Sequence, residues 1–331
     1  MSSNIAPEED MSSYTSIFNP ETLTRRGLCP VTKIRHQEGA IESHSLYFEQ
    51  HGNGPEKILF VMGLNSSSFA WASQINHFGG LPGYSSVVFD NRGVGHSGTP
   101  RGPYTTGGMA EDAIVLLDYL GWKGNREVHV VGTSLGGMIA QELATRIPER
   151  IASLTLTVTT PGGSPWANLP SWVGFSSLAK LLVVTDPNAK MQIIYDMLYP
   201  RSWLAEISLD DPEGRTNEEY LKEDYLRRFE LTRPQTLIGA ISQMCAGLTH
   251  HVSKARLARI SSSIPKVLII TGDVDHLVAP SNSKALKAAI PEAEYVVYEN
   301  TGHGISIQRK EQYNALLERV FAEGREKSRA S

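Results

Sequence analysis

The chain has 331 residues, 40% of them hydrophobic and 20% charged, with a net charge of −4. This composition excludes dominant disorder, and the charge argues against a nucleic-acid-binding surface. Two cysteines, Cys29 and Cys245, are too few for a disulfide framework or a thiolate metal cage, and no apolar run is long enough to span a membrane.

Residues 1–20 are Ser-rich, acidic and aperiodic, and are expected to form a mobile tail. Extended stretches follow at Thr32–His36 and His44–Gln50. Ile58–Met62 and Val87–Phe89 are continuous apolar runs closed by turn residues, which predicts strands buried on both faces. Met109–Leu120 has helical periodicity and stops at Gly121, a natural C-cap. Val128–Val131 is a third buried strand, followed by a helix over 136–146 that Pro148 stops, and then by the strand Ile151–Val158. Late in the chain, Lys266–Thr271 and Glu294–Tyr298 are two more buried strands, separated by the helix Ser281–Ile290, and a last helix covers Lys310–Glu323. Alternating strands and helices at both ends predict an α/β fold with a doubly wound, mostly parallel sheet. Between 163 and 260 no buried strand is visible and helical periodicity dominates (Met191–Leu198, Glu218–Phe229, Pro234–Met244), which predicts an inserted helical cap. The expected organisation is a tail (1–20), a core in two parts (21–162 and 261–323) flanking the cap, and a tail (324–331).

The strongest local signal is Gly132-Thr133-Ser134-Leu135-Gly136, between a predicted strand and a predicted helix. Gly-x-Ser-x-Gly alone is weak, and an ordinary glycine-rich turn would also produce it. The strand–turn–helix context makes it specific, because a serine in so sharp a turn is forced toward strained backbone angles and its hydroxyl projects above the sheet. Serine needs a base, and the base needs an orienting acid. Strand Lys266–Thr271 runs into Gly272-Asp273-Val274-Asp275, and strand Glu294–Tyr298 is followed by Glu299-Asn300-Thr301-Gly302-His303. The order Ser…Asp…His, each just past a strand's C-terminal end, matches that of nucleophile-elbow enzymes.

On these residues, with Phe89-Asp90-Asn91-Arg92-Gly93-Val94-Gly95-His96-Ser97 and the Met109–Trp122 helix, the chain resembles the α/β-hydrolase family from about residue 30 to 322. The resemblance implies catalysis by Ser134, His303 and Asp275; the acid lies three residues after the glycine ending its strand, which selects Asp275 over Asp273. It also implies an oxyanion hole from the backbone amides of Leu64 and Leu135. The family's usual His-Gly is Met62-Gly63-Leu64-Asn65 here. A backbone donor survives that change, while Asn65 orients the loop, touches substrate, or caps the segment after it.

Serine at the elbow, in place of aspartate, favours acyl transfer over alkyl-enzyme chemistry, with no cofactor and no metal implied. Trp166, Trp172, Phe175 and Trp203 are candidate pocket walls within the cap, and its large apolar groups favour a small lipophilic ester or lactone. A ligand receptor with a slow triad, an acyltransferase or cyclase, and a C–C bond hydrolase share the frame. His96 reads as structural, His250-His251 as a solvated helix end, Cys245 as buried and inert, and Asp90 with Arg92 as a structural pair. The N-terminus has no signal-peptide pattern and the C-terminus no peroxisomal tripeptide, so a cytoplasmic enzyme is expected. Oligomeric state is left open.

Overall fold

A computed structural model describes residues 14–35 and 41–330. In chain order the elements are β1 (Leu23–Val31), β2 (His44–His51), β3 (Glu56–Val61), α1 (Ala72–Gly79), β4 (Tyr84–Phe89), α2 (Thr106–Leu120), β5 (Val128–Thr133), α3 (Leu135–Arg146) and β6 (Ile151–Thr157). Six helices follow: α4 (Trp172–Val183), α5 (Pro187–Leu198), α6 (Arg201–Leu204), α7 (Asn217–Leu231), α8 (Leu237–Leu248) and α9 (Lys254–Ser263). The chain closes with β7 (Lys266–Gly272), α10 (Pro280–Ala289), β8 (Glu294–Tyr298), α11 (Ile305–Gln308) and α12 (Lys310–Ala330). The strands make one sheet in the order β1-β2-β4-β3-β5-β6-β7-β8. The β1–β2 and β2–β4 pairings are antiparallel and the others parallel.

Both faces of the sheet are covered, so its central strands read as unbroken apolar runs. Residues of α2, α3, α9 and α10 bury one face, around Leu59, Val130, Leu156 and Ile269. Residues of α1 and α12 bury the other, around Phe60, Val131 and Ile270. A third cluster lies inside the helical insertion: Met191, Tyr195, Tyr199, Leu204, Leu221 and Tyr225. Leu257 and Ile260 of α9 belong to the first cluster, so the core resumes before residue 261.

Several expectations need correction. The strand expected at Thr32–His36 lies earlier, at Leu23–Val31, and His36 falls outside the described residues. This edge strand has one buried partner and a mixed polar face, so its apolar signal is weak. Residues 1–13 of the expected tail also fall outside the described residues. Tyr14 and Phe18 are buried, against Tyr47, His96, His51 and Phe69. At the other end α12 continues through 324–330, where the Arg325 guanidinium donates to Glu56 and to the Arg126 carbonyl.

Candidate active site

Ser134 is the single residue between β5 and α3, with φ 54° and ψ −123°. For a residue with a Cβ this conformation costs on the order of 1–3 kcal/mol, and it persists only where the surroundings enforce it. Here they do. The Ser134 N–H donates to the Thr157 carbonyl (2.9 Å), and its own carbonyl accepts from Thr159 Oγ1 (2.8 Å) and the Gly137 N–H (2.9 Å). Gly136 lets α3 start directly behind β3, since a Cβ there would fall 2.1 Å from the Val61 carbonyl oxygen. The turn therefore holds Ser134 Oγ just past the C-terminal end of β5.

Asp275 follows β7, and both its oxygens are engaged. Oδ2 accepts from His303 Nδ1 at 2.7 Å, and Oδ1 accepts the N–H groups of Leu277 (2.8 Å) and Val278 (2.9 Å). Both side chains are buried. Asp273 points elsewhere: its Oδ1 accepts the Thr301 N–H at 3.2 Å, tying the β7 and β8 loops together. The His303 loop also touches the insertion, where the Gly304 N–H donates to the Leu198 carbonyl at the end of α5 (3.1 Å). A Cβ at Gly304 would lie 2.3 Å from the Tyr199 ring. Ser134, Asp275 and His303 thus stand at the C-terminal ends of parallel strands β5, β7 and β8, on one edge of the sheet.

The Met62–Asn65 loop passes over Ser134, with the Gly63 Cβ position 3.1 Å from Ser134 Cβ. Asn65 has φ 53°, a left-handed conformation that asparagine tolerates better than most residues. Its N–H donates to Gln243 Oε1 at 2.8 Å, and its Oδ1 accepts from Gln235 Nε2 at 3.0 Å. It caps nothing; the Ser68 N–H is bound by Asp90 Oδ1 instead. Sequence reasoning missed both glutamines. They lie 178 and 170 residues from Asn65 in a segment without motif spacing, so no local pattern marks them.

The four aromatic candidates separate. Trp203 is half-buried against the insertion's own cluster, its ring tilted on Tyr199 with centroids 5.1 Å apart. Trp166 and Trp172 are 82% and 80% exposed, and Phe175 lies against Trp172 with ring centroids 5.9 Å apart. The start of α4 sits on the acid loop, where Ser171 Oγ donates to the His276 carbonyl. A cavity between α5 and α7, lined by Met191, Tyr195, Glu218 and Lys222, lies apart from Ser134, Asp275 and His303.

Other readings change too. Asp90 and Arg92 are not a pair. Asp90 accepts the Ser68 and His96 N–H groups, while Arg92 forms a two-pronged bond with Asp112. Burial pushes the Asp90 carboxyl above its usual range despite those bonds. His96 is enclosed by Tyr14, Tyr47 and Phe69. His250 is buried, not solvated, with Nδ1 2.9 Å from Thr106 Oγ1, and burial holds it down at about 4; its neighbour His251 is exposed. Cys245 is half-buried, and both cysteines are free.

A family model described as the alpha/beta hydrolase fold matches residues 57–310, and the chain belongs to that family. Among curated proteins it is similar to RutD of Pseudomonas savastanoi pv. phaseolicola, with 30% identity over 80% of this chain and 92% of that one. RutD of Azorhizobium caulinodans is 29% identical over 82% and 93%. Both carry names describing a carbamate hydrolase. Among solved structures it resembles a thermophilic esterase from Thermogutta terrifontis (TM-score 0.70, 21% identity, 91% and 99% of the two chains). It also resembles the enol-lactonase of Burkholderia xenovorans (TM-score 0.66, 21% identity, 84% and 97%). No helix among the described residues is long and apolar enough to cross a membrane.

Proposed function

We propose that the protein is a serine hydrolase that cleaves an ester, lactone or carbamate bond through an acyl-enzyme. The carrying observation is the buried 2.7 Å bond between Asp275 and His303, set on the same sheet edge as a serine in an enforced positive-φ turn. Ser134 Oγ attacks the carbonyl carbon while His303 Nε2 takes its proton. Asp275 holds the imidazole with Nδ1 protonated and stabilises the imidazolium. The developing oxyanion is met by the Leu64 and Leu135 N–H groups. The Asn65 N–H is already taken by Gln243, which supports Leu64 as the donor from that loop. The carbonyl reforms as the leaving group departs with the proton from His303. Water then attacks the acyl carbon by the same path and returns Ser134 to its free form.

Helices α4–α8 serve as the cap. Trp172 and Phe175, exposed beside the acid loop, favour an acyl group with apolar surface. A carbamate substrate is the second reading, favoured by the two RutD relatives, and calls for the same residues.

A fluorophosphonate probe should label Ser134, and Ser134→Ala should lose labelling together with at least about 10⁴-fold of turnover while keeping its melting temperature. An adduct located on another residue by mass spectrometry would sink the assignment. Rates on matched p-nitrophenyl esters and carbamates separate the two substrate readings.

A further inference from the structure

The Met62–Asn65 loop is held by the insertion as well as by the core. Gln243 of α8 is fully buried, and both ends of its amide are used: Oε1 accepts the Asn65 N–H (2.8 Å) and Nε2 donates to the Arg92 carbonyl (2.8 Å). Gln235, just before α8, repeats the pattern. Its Nε2 donates to Asn65 Oδ1 (3.0 Å) and to the Gly93 carbonyl (2.9 Å). Each glutamine bridges the loop to the 92–93 turn. They can reach because α8 lies against that turn at Gly239, where a Cβ would fall 2.4 Å from the Gly93 carbonyl oxygen.

We infer that Gln243, assisted by Gln235, positions the oxyanion donor of this enzyme, so that an insertion helix sets transition-state stabilisation as well as covering the site. The inference rests on the proposed serine mechanism with Leu64 as donor. Gln243 fixes the Leu64–Asn65 peptide plane, and Gln235 holds the Asn65 side chain while its backbone stays at φ 53°. On the other side Gly63 is pressed against Ser134. The Gly63–Leu64 peptide, whose N–H is the donor, is therefore suspended between two anchored points. Without Gln243 the Asn65 N–H loses its acceptor and the peptide planes can rotate. A pre-oriented donor is worth about 10²–10³ in rate, and a misdirected one forfeits part of that.

The test compares Gln243→Met, Gln235→Met and wild type by the rate of fluorophosphonate reaction at Ser134 and by kcat and KM for p-nitrophenyl acetate. Affinity for a trifluoromethyl ketone, which mimics the tetrahedral oxyanion, is measured alongside. Gln243→Met should slow phosphonylation and lower kcat by about 10- to 100-fold, with KM changed less than about threefold and ketone affinity falling in parallel with kcat/KM. Gln235→Met, at a half-exposed position, should give a smaller loss of the same kind and covers the case in which Gln243→Met does not fold. A role limited to stapling α8 onto the core would lower the melting temperature and leave kcat, phosphonylation and ketone binding unchanged, which overturns the inference. Ser134→Ala, run alongside, separates the failures. If it keeps turnover, the serine mechanism itself is wrong; if it is inactive while both glutamine variants are fully active, only the positioning role falls.

Discussion

The sheet-bearing core and the helical insertion solve the burial problem differently. In the core, helices press on both faces of the sheet, and central strands such as β3, β5 and β6 have their apolar side chains wholly covered. The insertion has a small aromatic cluster of its own around Tyr195 and Tyr225, yet it leaves Trp166, Trp172, Val173 and Phe175 open to solvent. The core carries every group assigned to chemistry, holding Ser134 by its turn and His303 by Asp275. The insertion meets the site at three places: α4 on the acid loop, α5 on the His303 loop, and α8 on the Asn65 loop. A region can thus be loosely covered on its outside and tightly registered where it faces the reacting groups.

The sharpest way to break this comparison is inside the core. Asp275→Asn should lower kcat by about 10⁴-fold, because the amide favours the wrong imidazole tautomer. Asp273→Asn, whose carboxylate serves only the Thr301 N–H, should cost far less. Equal losses in steady-state assays would remove the distinction between the two aspartates. In the insertion the first effect should be on stability. Tyr195→Ala empties a fully buried aromatic site and should cost about 3–5 kcal/mol in denaturant titrations. Trp172→Ala removes an exposed ring and should leave stability nearly unchanged while shifting the preference between short and long p-nitrophenyl esters several-fold. A Trp172 variant that melts early with unaltered preference would move that residue from pocket to scaffold.

The smallest effect concerns the seam. His250 lies where the insertion returns to the core, bonded to Thr106 at the start of α2. Burial holds its pKa near 4, below the ordinary 6.5, so the folded protein keeps it neutral where the unfolded chain would bind a proton. Its contribution is fully present above pH 6.5 and is lost as the pH falls toward about 4. Thermal melts across that window should show a steady decline that is shallower in His250→Gln, and identical slopes would exclude His250 as its source.

What could be read in the sequence follows the same division. Strands β3, β5 and β7 were legible because a strand buried on both faces shows as an unbroken apolar run; β8 was found by its β-branched and aromatic residues, yet it is an edge strand and only half-covered, not buried as expected. Ser134, Asp275 and His303 were legible as candidates because each sits a short distance past a strand. Edge strand β1 was not, since one half-buried face gives little contrast. The insertion's periodicity revealed α5, α7 and α8, but α4 is apolar on nearly all sides and shows no stripe. Partners set only by the folded arrangement left no trace: Arg92 with Asp112 in place of Asp90, His250 under cover, and the two glutamines on Asn65. Each depends on residues brought together from distant segments.

The contact between Gly304 and the end of α5 bears on how such an enzyme can diversify. No side chain fits at position 304, and its backbone is bonded to Leu198, so α5 cannot be displaced without carrying His303 with it. If His303 is the base proposed above, variation at that corner lowers the rate. At α4, by contrast, Trp172, Val173 and Phe175 are exposed, so replacing these side chains disturbs little packing. On the proposed mechanism, new substrate ranges have an open route through Trp172, Val173 and Phe175 and a closed one where Leu198 meets Gly304.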